Sequence, residues 1–377
     1  MKKIALFTCH NDPNYGSMLQ AYALVYIIRK LGKDAEYLDY KTYRDPRTLK
    51  SKFLKLLSFP FRYFKKFFCP HLYQSEFSFF KTADFADTIA AFEKFHNEYI
   101  PVSSRVYYAD TIRKELNVDD YCNYIVGSDQ LWSPHLYHPQ KPYFLDFADL
   151  PKRCAYAPSF GTTILKDEYV KILTEKLKVF DYLSCREAIN SRLLSKILNR
   201  KVEHVLDPTL LLSKDEWCKI ATFPLIGEKY ILAYILGEKE NIVKFARYLG
   251  QKKNLPVFFI VTRPKYLSFE NSLKGIGPSD FIGLIKEAEI VITDSFHACL
   301  FSINFNIQFY GFSKRAGDIN VEDNARILEF LTLLGIENRF QGETAEILSD
   351  IDYTVVNKKI DGFRKSSLKY LEACVNC

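Results

Sequence analysis

The sequence has no apolar run approaching 18 residues, which excludes a membrane-spanning helix. Its opening carries only a short apolar run, Ile4 to Phe7, before polar loop residues, so it does not read as a secretory leader. The nine cysteines are odd in number and form no regular framework. Reduced thiols in a cytoplasmic protein are therefore expected. Only Cys374 and Cys377 have C-x-x-C spacing. A structural zinc site takes four ligands, so neither a metal nor a redox cofactor is expected. No G-x-G-x-x-G, Walker A, H-E-x-x-H or G-x-S-x-G sequence occurs. These absences argue against a dinucleotide fingerprint, a P-loop, a zinc protease helix and a hydrolase nucleophile elbow. Short-period repeats and low-complexity tracts are also missing.

What is present is ordinary globular composition, with 48% hydrophobic and 26% charged residues. The 377 residues suggest two domains, at roughly 150 residues per domain. Phenylalanine (31) and tyrosine (25) far outnumber tryptophan (2), so the core is expected to be built from Phe, Tyr and aliphatic side chains. The net charge is +7. Between Arg44 and Lys66, eight basic residues face one acid, Asp45, which accounts for the whole excess. Phe53, Phe59, Phe61, Tyr63, Phe64, Phe67 and Phe68 are interleaved there. Such a segment suits an anionic membrane surface, with a solvated basic face as the alternative. One local patch is weak support for nucleic acid, which is not expected as a partner. The protein is expected in the cytoplasm, peripheral at the inner face of the membrane if the segment docks.

Hydrophobic periodicity points to α/β architecture. Lys3 to Thr8 reads as a buried parallel strand, Cys9 to Gly16 as a turn-rich loop, and Ser17 to Gly32 as a helix capped by Ser17. Ala35 to Tyr40 completes a βαβ unit. Short strands then end at Gly127, Pro158, Arg186 and Asp207. A second set opens after Trp217, with strands at Tyr230–Leu236, Val257–Val261, Glu289–Ile292 and Gln308–Gly311. The expected fold is α/β, with two Rossmann-like domains, residues 1–218 and 219–377, facing a cleft. A helix over Asp361–Cys374 is expected to pack back on the first. Ligands in such folds sit beyond the carboxyl ends of the strands.

Several residues at those ends could carry chemistry. His297 follows a buried strand at a helix start, where backbone N–H groups favour anions. It suits an anion contact or a general acid, or it simply satisfies a backbone group. Arg186 suits a carboxylate or phosphate, the alternative being a salt bridge to Glu187 or Asp207. Lys314, Arg315, Asn324 and Arg326 form a second polar and cationic group. In Gly127–Trp132, Asp129 could take a proton from a sugar hydroxyl and Trp132 could stack on a sugar. The alternative is a helix cap by Ser128 or Asp129 with Trp132 in the core.

Taken in order, Asn14–Leu24, Gly127–Trp132, Tyr156–Gly161, Ser184–Glu187, Val205–Thr209 and Thr293–His297 resemble the polysaccharide pyruvyltransferase family. The resemblance runs from about residue 3 to 340. It implies a GT-B-like fold and transfer of the enolpyruvyl unit of phosphoenolpyruvate to two hydroxyls of a sugar, releasing phosphate. It implies that His297 and Arg186 meet the donor, with Ser295, Lys314, Arg315, Asn324 and Arg326 near it. The acceptor, a sugar or lipid-linked oligosaccharide, is expected near Asn14, Tyr15, Gly16, Ser128, Gln130, Trp132 and Ser159. Members of the family carry Arg two residues before the His. Here that residue is Ser295, and Lys314 or Arg315 is expected to supply the charge. A nucleotide-sugar glycosyltransferase on the same scaffold and a non-catalytic carbohydrate- or membrane-binding relative are the rival readings.

Overall fold

The computed structural model describes residues 2–41, 83–135, 142–162, 164–223, 226–314, 322–342 and 345–376, the side chains of 322–325 excepted. The basic aromatic segment from Arg44 and the residue Arg315 lie outside the described residues, as does the Asn324 side chain.

The apolar runs form two parallel sheets. The first has the order β3-β2-β1-β4-β5, from β1 (Lys3–Phe7), β2 (Ala35–Lys41), β3 (Val102–Tyr108), β4 (Tyr121–Val126) and β5 (Arg153–Ala155). A parallel pair, β6 (Ser184–Cys185) and β7 (Glu203–His204), continues beside it. The Ala155 amide joins the two by donating to the Tyr182 carbonyl at 2.9 Å. The second sheet has the order β10-β9-β8-β11-β12-β13. Its strands are β8 (Ile231–Tyr234), β9 (Val257–Ile260), β10 (Ser272–Leu273), β11 (Ile290–Thr293), β12 (Gln308–Phe312) and β13 (Phe340–Gln341). All its pairings are parallel. Strands such as β8 and β11 are buried along their whole length because helices cover both faces. This is the pair of Rossmann-like sheets that the periodicity implied.

The helices are α1 (Tyr15–Lys30), α2 (Ala86–Tyr99), α3 (Ile112–Glu115), α4 (Asp167–Leu177), α5 (Ala188–Leu198) and α6 (Lys214–Cys218) in the first half. They continue with α7 (Glu240–Lys253), α8 (Pro278–Glu287), α9 (Phe296–Phe305), α10 (Glu322–Leu334) and α11 (Tyr353–Val375). Helix α1 is apolar nearly all round because it lies between the sheets. Its Leu19 and Leu24 share one core with Phe281 and Ile282 of α8 and Phe301 of α9. Tyr15 stacks on Phe281 at 4.4 Å and donates to the Ile276 carbonyl at 2.8 Å. The helix starts earlier than read from sequence. Asn14 is its N-cap, accepting from the Ser17 amide at 3.3 Å, which frees the Ser17 hydroxyl for another partner.

Helix α11 is longer than its pattern suggested, starting from an Asp352 cap that accepts from Thr354 N–H at 2.9 Å. It lies against the first half of the chain. Ser367 Oγ accepts from the Leu206 amide at 2.9 Å, and the Tyr370 hydroxyl donates to Ala155 O at 2.9 Å. Among the described residues no helix is long and apolar enough to cross a membrane.

Replacing Tyr370 by Phe leaves the Ala155 carbonyl without this donor. The expected loss is about 1 kcal/mol of unfolding free energy. Urea titration followed by circular dichroism measures it, and an unchanged midpoint means the bond adds nothing to docking.

A candidate anion-binding site between the sheets

Six segments converge where the carboxyl ends of the two sheets meet. Asp207, after β7, is at the centre. Its Oδ1 accepts from the Thr209 amide at 3.0 Å and the Thr209 hydroxyl at 2.8 Å, fixing the carboxylate through a local Asx turn. Its Oδ2 accepts from Arg186 Nη1 at 2.8 Å and lies 3.5 Å from His297 Nε2. Burial alone would raise the Asp207 pKa, but His297 and Arg186 beside it outweigh that and hold it well below the usual carboxylate range.

His297 reaches this point because Ser295 caps α9 and leaves His297 in the first turn. The Ser295 amide donates to Thr293 Oγ1 at 3.0 Å, which ties the cap to the end of β11. The opposite side of the ring is closed by α1. A Cβ on Gly16 would stand 2.0 Å from His297 Nδ1, so only glycine lets the two helices approach this closely. His297 Nε2 is buried and has no hydrogen-bond partner among the described residues.

Asp129 is a second carboxylate beside the same cations. Ser17 Oγ donates to its Oδ2 at 2.6 Å, and the Gln130 amide donates to its Oδ1 at 2.8 Å. Burial pushes its pKa up, yet His297, Arg186 and these two donors bring it below the ordinary value. Each oxygen thus accepts one hydrogen bond, which orients the carboxylate toward His297 and Arg186. The residue does not cap a helix: it sits in a turn at φ 72°.

Two arginines share one aromatic ring. The Arg186 guanidinium lies 4.5 Å and that of Arg326 5.8 Å from the Phe296 ring centroid. With its amide oxygen facing Arg326, Gln130 accepts from Nη1 at 2.7 Å and Nη2 at 2.8 Å. Arg186 Nε and Nη2 are buried and donate to no described group. Glu187 lies 3.7 Å from that Nε, beyond hydrogen-bond reach. Its carboxylate accepts from the Ser159 hydroxyl and, at 3.4 Å, from Asn190 Nδ2. A cavity of about 440 Å³ adjoins the cluster, lined by Arg186, Asp207, Phe296, Leu300, Arg326 and Phe330 among others.

The site therefore gathers His297, Asp129, Arg186, Gln130 and Arg326, with Ser295 and Gly16 holding its frame. Lys314 stands apart, beside Asp294, whose carboxylate accepts from the Leu236 and Gly237 amides at 2.7 and 2.6 Å. Four residues expected to meet the acceptor belong to the interior instead. Trp132 is fully buried, stacks over Phe144, and donates from Nε1 to Tyr143 O at 2.9 Å. The buried Ser128 hydroxyl lies 2.8 Å from Ala157 O and 3.3 Å from Oδ2 of the central Asp207, Ser159 donates to Glu187, and Tyr15 fills the joint described above. Asn14 is a cap. Asp207 and Glu187 were read only as salt-bridge partners of Arg186. Their place at the ends of β7 and β6 was the signal for a larger role.

The fold and this cluster define a two-sheet α/β protein with a buried cluster of charged side chains between the sheets. The model of the family "Polysaccharide pyruvyl transferase" matches residues 14–314, and the chain belongs to that family of transferases. No curated protein sequence matches the chain. Among solved structures it is similar to UDP-GlcNAc 2-epimerase from Methanocaldococcus jannaschii, at 11% identity and TM-score 0.48, covering 95% of this chain and 91% of that one. It is also similar to the glycosyltransferase SnogD from Streptomyces nogalater, at 10% identity and TM-score 0.45, covering 99% of this chain and 98% of that one. UDP-GlcNAc 2-epimerase from Neisseria meningitidis gives 11% and 0.46, with 100% and 94% covered.

One pair of histidines near the end of β1 escaped the sequence reading. His10 Nδ1 and His96 Nε2 are 3.0 Å apart, with the rings stacked at 5.3 Å. Burial first, then the charge of His96, lowers the His10 pKa to about 3.

Two measurements follow. Gly16→Ala must displace the His297 ring, so activity is expected to fall by roughly 100-fold, the scale for losing a positioned acid–base group. Retained activity in a folded variant rejects the packing. As for His10, the unfolded chain binds its proton near pH 6.5 and the native state does not. Stability is therefore present above pH 6.5 and lost on acidification, at about 1.4 kcal/mol per pH unit from this residue. His96 and His204 shift the same way, while Asp294 and Glu329, with raised pKa values, oppose them. Urea unfolding between pH 7 and 5.5 is expected to show a shallower pH slope in His10→Gln than in wild type, and equal slopes contradict the assignment.

Proposed function

We propose that the protein transfers the enolpyruvyl group of phosphoenolpyruvate to a sugar of a cell-surface polysaccharide or its lipid-linked precursor, forming a pyruvate ketal. The observation that carries this reading is the pair of unpartnered, buried N–H groups of Arg186 beside His297, in a chain of this family. Buried donors of a guanidinium favour a bidentate anionic partner. Arg326, 5.8 Å from the Phe296 ring centroid, supplies the cation that Ser295 does not. Together they suit a three-carbon donor with a carboxylate and a phosphate.

In the reaction a proton is delivered to the methylene carbon of the donor, and His297 is the acid placed for it. One sugar hydroxyl adds to the central carbon, and its proton restores the one that His297 gave up. The second hydroxyl then displaces phosphate at the same carbon, its proton leaving with the phosphate, and closes the ketal. Asp207, 3.5 Å from His297 Nε2, and Gly16 on the other side keep the ring in register. The Leu236 and Gly237 amides at the end of β8 already serve Asp294, which leaves them unavailable to a nucleotide phosphate and favours this reading over a nucleotide-sugar donor.

The test is phosphate release from phosphoenolpyruvate with candidate lipid-linked sugars, the product being identified by mass spectrometry. His297→Ala is expected to lower kcat by roughly 100-fold or more. Arg326→Ala is expected to raise the donor KM more than it lowers kcat. Turnover that requires a nucleotide sugar, or a fully active His297→Ala, overturns the proposal.

A further inference from the structure

The cavity beside Arg186 is also bounded by the amino end of α5 and by α10. Helix α5 spans Ala188–Leu198, and its N-cap, Glu187, gives no side-chain hydrogen bond to the helix amides. Those amides are served from the other half of the chain. Glu329 of α10 reaches across, and its Oε1 accepts from the Ile189 amide at 2.8 Å, with the Ala188 amide beside it. A carboxylate thus sits on a helix amino end, where backbone donors and the helix dipole favour an anion.

Six charged residues line this cavity: Arg186, Arg192 and Arg326 against Glu187, Asp207 and Glu329. They balance. Glu187 and Asp207 are bound by other partners, described above, so they cannot leave. Glu329 is held by the Ile189 and Ala188 amides, and a small anion can take its place. Independently, Arg186 lines the same cavity, its Nε and Nη2 have no acceptor among the described residues, and its side chain is only 3% exposed. Only while Glu329 holds the helix end do the charges balance; once it leaves, the helix amides and the unmatched Arg186 donors are together short of one anion.

We propose that the amino end of α5, with Arg186 and Arg192, is a phosphate subsite, and that Glu329 is its built-in competitor. An incoming phosphate dianion takes the Ala188 and Ile189 amides and the free N–H groups of Arg186, and the Glu329 carboxylate swings aside. No bond is made or broken in this exchange. Resting on the donor reading above, the subsite receives the phosphate end of phosphoenolpyruvate and leaves the carboxylate end to Arg326. Because Glu329 bridges the two halves of the chain, its release also loosens one contact between them.

Isothermal titration of the full-length protein tests this, with inorganic phosphate as one probe and phosphoenolpyruvate as the other. Glu329→Gln keeps an acceptor for the Ile189 amide but loses the competing charge. It is expected to bind inorganic phosphate roughly tenfold more tightly than wild type, the scale of removing one close like charge. Circular dichroism establishes that the variant is folded. Should it not be, Glu329→Asp, whose shorter side chain no longer reaches α5, is expected to shift affinity in the same direction. Unchanged or weaker phosphate binding in a folded variant overturns the subsite, as does a wild type and variant that both ignore phosphate. Tighter phosphate binding in the variant, with phosphoenolpyruvate bound by neither protein, supports the subsite and rejects the donor reading. Equal phosphoenolpyruvate binding by both, with no gain for phosphate, supports the donor reading and rejects the subsite.

Discussion

The site depends on one carboxylate that Arg186 and His297 share. Asp207 holds Arg186 through a 2.8 Å hydrogen bond and stands 3.5 Å from His297, while its other oxygen is fixed by Thr209. Arg186 comes from the first half of the chain and His297 from the second. Without Asp207, the buried Arg186 guanidinium would lose its hydrogen-bonded counter-charge in a setting where charge is weakly screened. With it, the guanidinium is oriented and its charge compensated. An isolated buried charge would be strongly unfavourable, so the partners keep one another in place.

The same logic explains why so many polar groups are tolerated between two apolar sheets. Asp129 is held by Ser17 and Gln130, Gln130 by Arg326, and Glu187 by Ser159 and Asn190. Among the described residues few buried side-chain donors or acceptors lack a partner. Thr111 Oγ1 and Asn190 Oδ1 are among them, but Arg186 Nε and Nη2 and His297 Nε2 lie together at the centre. A native interior rarely leaves such groups unmatched, and a cluster of them suits a ligand.

Much of the fold was legible in the sequence because its signals are local. Apolar runs ending in Gly, Pro or Asp mark buried parallel strands, and Gly32 and Asn306 end α1 and α9 in left-handed conformations as such residues can. Less of the site was legible. Trp132 looked like a sugar platform because aromatics after a strand end serve either purpose, and only packing against Phe144, Phe160 and Phe180 decides. Ser17 looked like a cap because its type favours caps, whereas Asn14 takes that role and Ser17 turns to Asp129. Lys314 and Arg326 were equivalent as charges in a string, yet Arg326 meets Gln130 and Phe296 while Lys314 faces Asp294.

By itself the sequence determined the α/β class, the two sets of strands and the strand ends at which reactive side chains collect. Periodicity and turn chemistry act over a few residues and survive without knowledge of the fold. The tertiary structure alone decided which of those strand ends meet. Residues 16, 129, 186, 207, 297 and 326 are scattered along most of the chain, and their coupling is a matter of a few ångströms between two sheets. Electrostatic and hydrogen-bond energies depend on that separation and on burial, neither of which is encoded at any single position.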